Sequence, residues 1–448
     1  MSPRELKRHL GFWPLVVVGV AYMTPMTVFD TFGLITEITE GRVAGAYLIT
    51  TLAVLLTAAS YMQMAKAYPG AGSAYLFAQK TVGPKLGFLV GWAALFDYLL
   101  MPMINVLLPR IYLGPVFPAV PDWVWVVSFA TIITGLNLIG VKMSVRVTAF
   151  LVALQFLVCV AVVGLSMQMI PIDHYSFAPL WPASFETALA GAAILVYSFL
   201  GFDAVTTLAE DVKRPTVDIP RAVLATAIAG GLLFATVSYF VQLQFPTASL
   251  FTNLERASPQ IALTLGGPSF QIVFSCAAAF GVIASGMASQ MSTSRLLFGM
   301  GRDGLLPPSF FAYLSPSTHS PSYNIALIGA VSLVAAIMPL SLAISMISFG
   351  ALVAFSFVNY SCICHYILIK KQRRARDILR YGLIPGLGLA SVAILWANLD
   401  SFALVSGLVW LAIGAVYATL LYVFKGVDPF RALAQRPDEF APVKAAEP

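Results

Sequence analysis

The sequence predicts an all-α polytopic membrane protein of about twelve transmembrane helices, and three observations carry that prediction. Hydrophobic residues fill 59% of the 448 positions and charged residues only 10%, whereas a soluble domain has roughly half and a quarter. Apolar stretches of about twenty residues, the length that crosses a hydrocarbon core, recur along the chain. Threading them through a membrane with both ends cytoplasmic leaves only Arg42, Arg110 and Arg256 of the 26 basic residues outside. One missed helix would invert every later loop, so this imbalance supports the helix count as well as the orientation.

Taken in order, the apolar segments cover 12–36, 43–66, 86–110, 122–139, 145–169, 186–210, 220–243, 268–294, 322–338, 341–366, 380–398 and 402–424. Arg4, Lys7 and Arg8 precede a first apolar run that has no small-residue cleavage site after a short core, so it reads as a helix and not as a removable signal. Only Pro339 and Leu340 separate segments nine and ten, which demands a tight turn. The expected organisation is a cytoplasmic tail (1–11), a ten-helix core (12–366), a basic cytoplasmic loop (367–379), two further helices (380–424) and a cytoplasmic tail rich in Pro, Ala and charge (425–448). The basic cluster from Lys370 to Arg380 is read as an anchor under the positive-inside rule, not as a nucleic-acid site.

Several function classes drop out. Cys159, Cys276, Cys362 and Cys364 lie in or at the ends of apolar segments, and the last two lack CxxC spacing, so neither a disulfide framework nor a metal site is indicated. His9, His174, His319 and His365 stand at tails, loops or a helix end, which leaves no histidine relay in the core. No catalytic or phosphate-loop motif stands in context, so an enzyme and a self-contained ATP-driven pump are excluded and no cofactor is expected.

Chemistry concentrates in the stretch from Tyr197 to Glu210. It sets Gly201 and Asp203 in the middle of a membrane-length segment, where an unpaired charge costs about 2.5 to 3.5 kcal/mol on the insertion scale. Asp203 is therefore expected to face a cavity or a partner. The first segment carries a matching interruption, Thr24-Pro25, followed by Phe29-Asp30. Glu37 follows Asp30 by seven residues and Glu210 follows Asp203 by seven, on segments that run in opposite directions. Segments one to five and six to ten related as an inverted repeat would produce this pattern, and two broken helices with acids suggest a transport site.

At the cytoplasmic end of segment eight, Ser294-Arg295-Leu296-Leu297-Phe298-Gly299-Met300-Gly301-Arg302-Asp303-Gly304-Leu305-Leu306-Pro307 resembles the most recognisable loop of the amino acid-polyamine-organocation (APC) transporters, and Gly201-Phe202-Asp203 strengthens the likeness. Within that superfamily the sequence looks closest to bacterial putrescine importers. The resembling stretches are Ala21 to Gly33, Ser73-Ala74-Tyr75, Val90-Gly91-Trp92, Asp97-Tyr98-Leu99, Pro102 to Asn105 and Phe199 to Leu208. The resemblance implies a five-plus-five inverted-repeat fold of LeuT-like type with two added helices. It also implies uptake of a diamine across the bacterial cytoplasmic (inner) membrane, driven by a proton or electrical gradient. One departure concerns coupling: some proton-coupled relatives carry a lysine in helix five, where this chain offers only Arg146.

A four-carbon diamine is charged at both ends and has no carboxylate, so its site needs anionic regions and apolar walls. Asp30, Asp97 and Asp203 qualify by depth. Gly201 provides the break beside Asp203, and Tyr22, Tyr98, Phe199 and Phe202 are the candidate walls, since aromatic faces hold ammonium groups. The carbonyl ends of the first halves of helices one and six aim negative poles at the breaks. Thr24 and Pro25 mark the hinge, and Glu210 with Asp211 is expected to form a salt-bridged inner gate near Lys213 and Arg214. The competing reading in the same class is a cationic amino acid or polyamine exchanger. Protons are possible co-substrates and lipid is the surrounding partner; the oligomeric state is open.

Overall fold

A computed structural model describes residues 10–70, 73–140, 145–171, 175–318 and 320–425 of the chain. Among the described residues, eleven helices are long and apolar enough to cross a membrane, and a shorter apolar helix joins them. In chain order the long helices and the short one are α1 (Phe12–Asp30), α2 (Val43–Ala67), α3 (Pro84–Leu113), α4 (Asp122–Ile139), α5 (Arg146–Met169), α6 (Phe185–Ala209), α7 (Pro215–Gln244), α8 (Ala257–Arg302), α9 (Ser322–Ala336), α10 (Leu340–Ile369), α11 (Ala375–Ala397) and α12 (Ser401–Phe424). The short one is α9, with eleven α-helical residues and a four-residue 3-10 turn. At 1.5 Å per residue it falls short of a hydrocarbon core.

The end of α9 explains how so short a helix is tolerated. Helix-terminal carbonyls need donors, and in a membrane no water supplies them. Arg110, near the end of α3, donates to Ala335 O and Ala336 O at 3.2 Å and to Met338 O at 2.7 Å. An arginine on the sparsely charged side of the membrane thereby closes the turn before Leu340. The expected boundaries hold to within a few residues for most segments, and α8 is the largest exception. It begins at Ala257, and Gly267 (φ 71) before Pro268 divides a first piece, 257–266, from the rest.

Packing sorts the helices into a core and a rim. Helix α3 lies against α8 and α10, and α2 against α7. Most of the α3 face is buried, including Asp97, Tyr98 and Asn105. By contrast α12 leaves Val405, Val409, Val416, Val423 and Phe424 exposed, the surface an acyl-chain environment rewards. One indole pair ties this rim helix to the core: Trp92 Nε1 donates to Trp410 O at 2.9 Å and Trp410 Nε1 to Trp92 O at 2.7 Å. Trp92 thus packs between core and rim.

Candidate functional site

Both expected breaks are present, and they touch. Helix α1 stops at Thr24 (φ 51, ψ 125) and resumes at Thr27–Asp30. Helix α6 passes from the α-helix Phe185–Leu195 into a 3-10 turn, Val196–Phe199, crosses residues 200–203, and continues as a 3-10 helix, Ala204–Asp211. The crossing needs glycine. Gly201 has φ 128, and a Cβ there would stand 2.9 Å from Met23 N and 3.0 Å from Gly19 O. The backbone freed by the α1 break is satisfied by side chains, as burial requires: Ser285 Oγ donates to Tyr22 O at 2.8 Å, and Thr27 Oγ1 donates to Met23 O.

Two acidic centres flank this contact, named inner and outer after the orientation that the basic residues predict. The inner one joins Asp97 of α3 and Asp203 of α6, both buried. Asp203 Oδ2 accepts from Tyr98 OH and Oδ1 from Gly201 N, each at 3.3 Å. Tyr22, Tyr61 and Tyr98 lie within electrostatic range of both acids, and the acids of each other. Helix α10 closes one side, since a Cβ on Gly350 would stand 2.7 Å from Asp97 Cβ. Thr293 Oγ1 donates to Tyr98 O at 2.6 Å and fixes α3 to α8. The free space beside Asp203, lined by Ser73, Tyr75, Tyr98 and Thr207, is about 10 Å³, room for one water at most. The conformation is closed at this centre.

The outer centre is Asp30, at the end of α1 and 2% exposed. Tyr112 OH, from α3, donates to Oδ1, and Tyr197 OH, from α6, donates to Oδ2 at 3.2 Å. Tyr47 of α2 stands beside them with its hydroxyl 3.0 Å from Ser198 Oγ. Asp30 thus fastens the outer half of α1 to two other helices.

A larger cavity of about 460 Å³ lies between α1, α5 and α7, lined by Val17, Val20, Met23, Phe156, Leu233 and Phe234 among others. No charged side chain lines it.

Comparison with known proteins then decides the family. The profile described as "Amino acid permease" matches residues 16–425. The chain belongs to the amino acid permease family. The permease is 40% identical to the low-affinity putrescine importer PlaP of Escherichia coli (strain K12), over 92% of this chain and 93% of that protein. It is 26% identical to the branched-chain amino acid permease BcaP of Bacillus subtilis (strain 168), over 92% of each. It is also 29% identical to the vacuolar cationic amino acid transporter 4 of Arabidopsis thaliana, over 80% of this chain and 63% of that protein. The resemblance to APC transporters, and within them to putrescine importers, is thereby borne out. The permease is an integral membrane protein of a transporter family, not of an enzyme family.

The structure gathers some expected site residues and separates others. Tyr22, Tyr98, Gly201, Asp97 and Asp203 meet at the inner centre. Phe202 packs on Tyr61 and Phe355, with ring centroids 5.5 and 5.4 Å apart. Phe199 packs on Phe234 at 5.5 Å and on Tyr47 at 6.5 Å, beside the outer cluster and not among the inner acids. The two Phe-Asp pairs are not spatial equivalents, because Asp203 sits in its break and Asp30 beyond its own. Thr24 and Pro25 form the α1 break, where Pro25 O accepts from Cys159 Sγ at 3.5 Å. The Glu210 side chain lies outside the described residues. Its neighbour Asp211 pairs with Arg295 of α8 at 2.5 Å, whereas Arg214, just before α7, pairs with Asp218 in the first turn of that helix at 3.0 Å. Leu10 adds to this inner closure by bridging Val212, and Tyr75 OH donates to Asp303 Oδ2 at 3.0 Å. Tyr61, Tyr112 and Tyr197 were not singled out by sequence. Tyr197 lay within the decisive stretch, six residues before Asp203, but nothing local marked Tyr61 or Tyr112.

Proposed function

We propose that this permease imports putrescine or a similar small diamine across the bacterial inner membrane as a secondary transporter, with both termini cytoplasmic. The observation that carries the reading is the 40% identity, over nearly the whole of both chains, to a protein described as a putrescine importer. The inner centre supports it chemically. Asp203 lies in the α6 break and Asp97 beside it, and among the described residues no lysine or arginine figures in their electrostatic surroundings; a dication supplies the missing charge. On this reading Asp203 and Asp97 receive ammonium groups, while Tyr22, Tyr98 and Phe202 wall the methylenes with help from Tyr61. Gly201, Thr24 and Pro25 give the hinge, Phe199 supports the outer wall, and Glu210 belongs with Asp211 to the inner gate.

The architecture behind this reading is a ten-helix LeuT-like core of two inverted five-helix repeats (12–366), joined by the basic loop 367–379 to two added helices. The breaks of α1 and α6 occupy corresponding places in the two repeats and support that assignment. A divalent cation entering a negative cell gains about 4.6 kcal/mol per 100 mV, enough for concentrative uptake.

The alternative, a cationic amino acid or polyamine exchanger, is favoured by the Arabidopsis relative. An amino acid would bring a carboxylate into range of two acids, which repel it. The deciding experiment is uptake of labelled putrescine into proteoliposomes under a potassium-valinomycin potential, competed by cadaverine, spermidine, ornithine and arginine. Competition by the diamines above all others is expected. Preferential competition by ornithine or arginine, or uptake only against internal substrate, would replace import with exchange.

A further inference from the structure

We propose that Asp30 is a proton-binding site on the outer half of the transporter, which takes up a proton from the outside as the outer half closes over the diamine. The inference rests on the diamine reading above. It starts from a charge count: three carboxyl groups are buried along α1, α3 and α6, and the substrate brings two positive charges. Asp97 and Asp203 lie within range of each other and together match the dication. Asp30 is left over, and a charged carboxylate closed into an apolar interior without a cation is costly.

The surroundings of Asp30 fit a proton better than an ammonium group. Its two oxygens meet the hydroxyls of Tyr112 from α3 and Tyr197 from α6, and a hydroxyl can accept as well as donate, so the same contacts serve the acid and its anion. Tyr47 of α2 is the third hydroxyl in range, and Cys159 of α5 lies behind Tyr112. Helices α7 and α8 present Phe234 and Phe274 to this cluster through their ring contacts with Tyr47 and Tyr112. Among the described residues no lysine, arginine or histidine figures in the electrostatic surroundings of this carboxyl group.

Position decides which side supplies the proton. Tyr112 stands one residue from the outer end of α3 (Leu113). Phe32, two residues beyond Asp30, packs under Phe251 of the loop before α8 at 6.2 Å. When the outer half opens, Asp30 meets external water and releases the proton; when it closes, the proton returns. The proton is therefore exchanged with the outside and does not travel with the diamine. Because closure binds a proton, acid outside favours it, and linkage makes external putrescine bind more tightly as external pH falls.

The test uses the full-length protein in proteoliposomes at fixed potential, with external and internal pH varied separately between 6 and 8 and a pH dye inside. The wild type is expected to show a KM for external putrescine that falls roughly tenfold from pH 8 to pH 6, no response to internal pH, and no internal acidification beyond the leak. Asp30→Asn is expected to be flat in external pH. Tyr197→Phe keeps the carboxyl group but removes a donor that favours its anion, and shifts the profile toward alkaline pH. The proposal is overturned if the wild type is indifferent to external pH, if Asp30→Asn keeps the wild-type profile, if protons enter with putrescine, or if Asp30→Asn loses putrescine binding as fully as Asp203→Asn does. Should Asp30→Asn not fold, an unshifted Tyr197→Phe profile overturns it. Wild-type protein that moves no diamine at all instead removes the functional reading itself, before any pH profile is taken.

Discussion

The two acidic centres use the same residue types to opposite ends. At the outer centre both Asp30 oxygens are taken by tyrosine hydroxyls from two helices, so the carboxyl group works as a fastening between α1, α3 and α6. At the inner centre Asp203 takes one tyrosine and one backbone amide at 3.3 Å each, and Asp97 beside it stands against α10, with no lysine or arginine in its electrostatic surroundings among the described residues. The contrast teaches that depth in the membrane does not identify a substrate acid. The difference lies in company and not in the number of donors: Asp97 and Asp203 stand within electrostatic range of each other, so on the proposed reading a dication relieves a pair of acids, whereas Asp30 is a single carboxyl group between two tyrosine hydroxyls.

Substitutions can break this contrast, and the largest effect is expected at Asp203. Asp203→Asn keeps the size and removes the charge, and a close ammonium-carboxylate contact at an effective dielectric near 20 is worth roughly 4 kcal/mol before desolvation. Apparent affinity for putrescine is expected to fall by at least about 100-fold with normal membrane expression; unaltered affinity would take Asp203 out of the site. Asp97→Asn follows with a loss of about 10- to 100-fold, and a larger loss than that of Asp203→Asn would reverse their ranking. Tyr98→Phe removes one hydrogen bond to Asp203, about 1 kcal/mol, and should weaken uptake roughly five-fold. Loss of expression instead would mean that the hydroxyl holds α3 to α6 and does not tune the acid. The smallest effect on affinity is expected at the inner closure. Arg295→Ala leaves Asp211 without its partner and should lower the maximal rate several-fold while leaving KM within about threefold, and a KM effect as large as that of Tyr98→Phe would place the pair in the binding site.

Much of the fold was legible because its signals are local. Membrane-length apolar runs and the one-sided basic residues gave the helix positions, down to the limits of α4 at Asp122 and Ile139. The interruptions at Thr24-Pro25 and Gly201 were legible because proline and glycine carry their conformational consequences in their own covalent structure. The short α9 was harder: a seventeen-residue apolar stretch, 322–338, reads as a span. Its early end depends on Arg110, more than two hundred residues away. The acids were legible through their cost in lipid, but their separation into two centres was not. That division depends on Tyr61, Tyr112 and Tyr197, tyrosines among seventeen in the chain, which acquire meaning only when three helices are brought together. Phe199 shows the converse, an aromatic residue near Asp203 in sequence that ends a 3-10 turn ahead of the break and packs on Phe234.

The most direct test of the account is equilibrium binding of labelled putrescine to purified wild-type, Asp30→Asn, Asp97→Asn and Asp203→Asn protein at one pH. The account predicts affinity losses of at least about 100-fold for Asp203→Asn and at least about tenfold for Asp97→Asn, with Asp30→Asn retaining measurable binding well above both. Binding that survives Asp203→Asn and disappears with Asp30→Asn would contradict it, and would move the diamine site to the outer side of the α1 break.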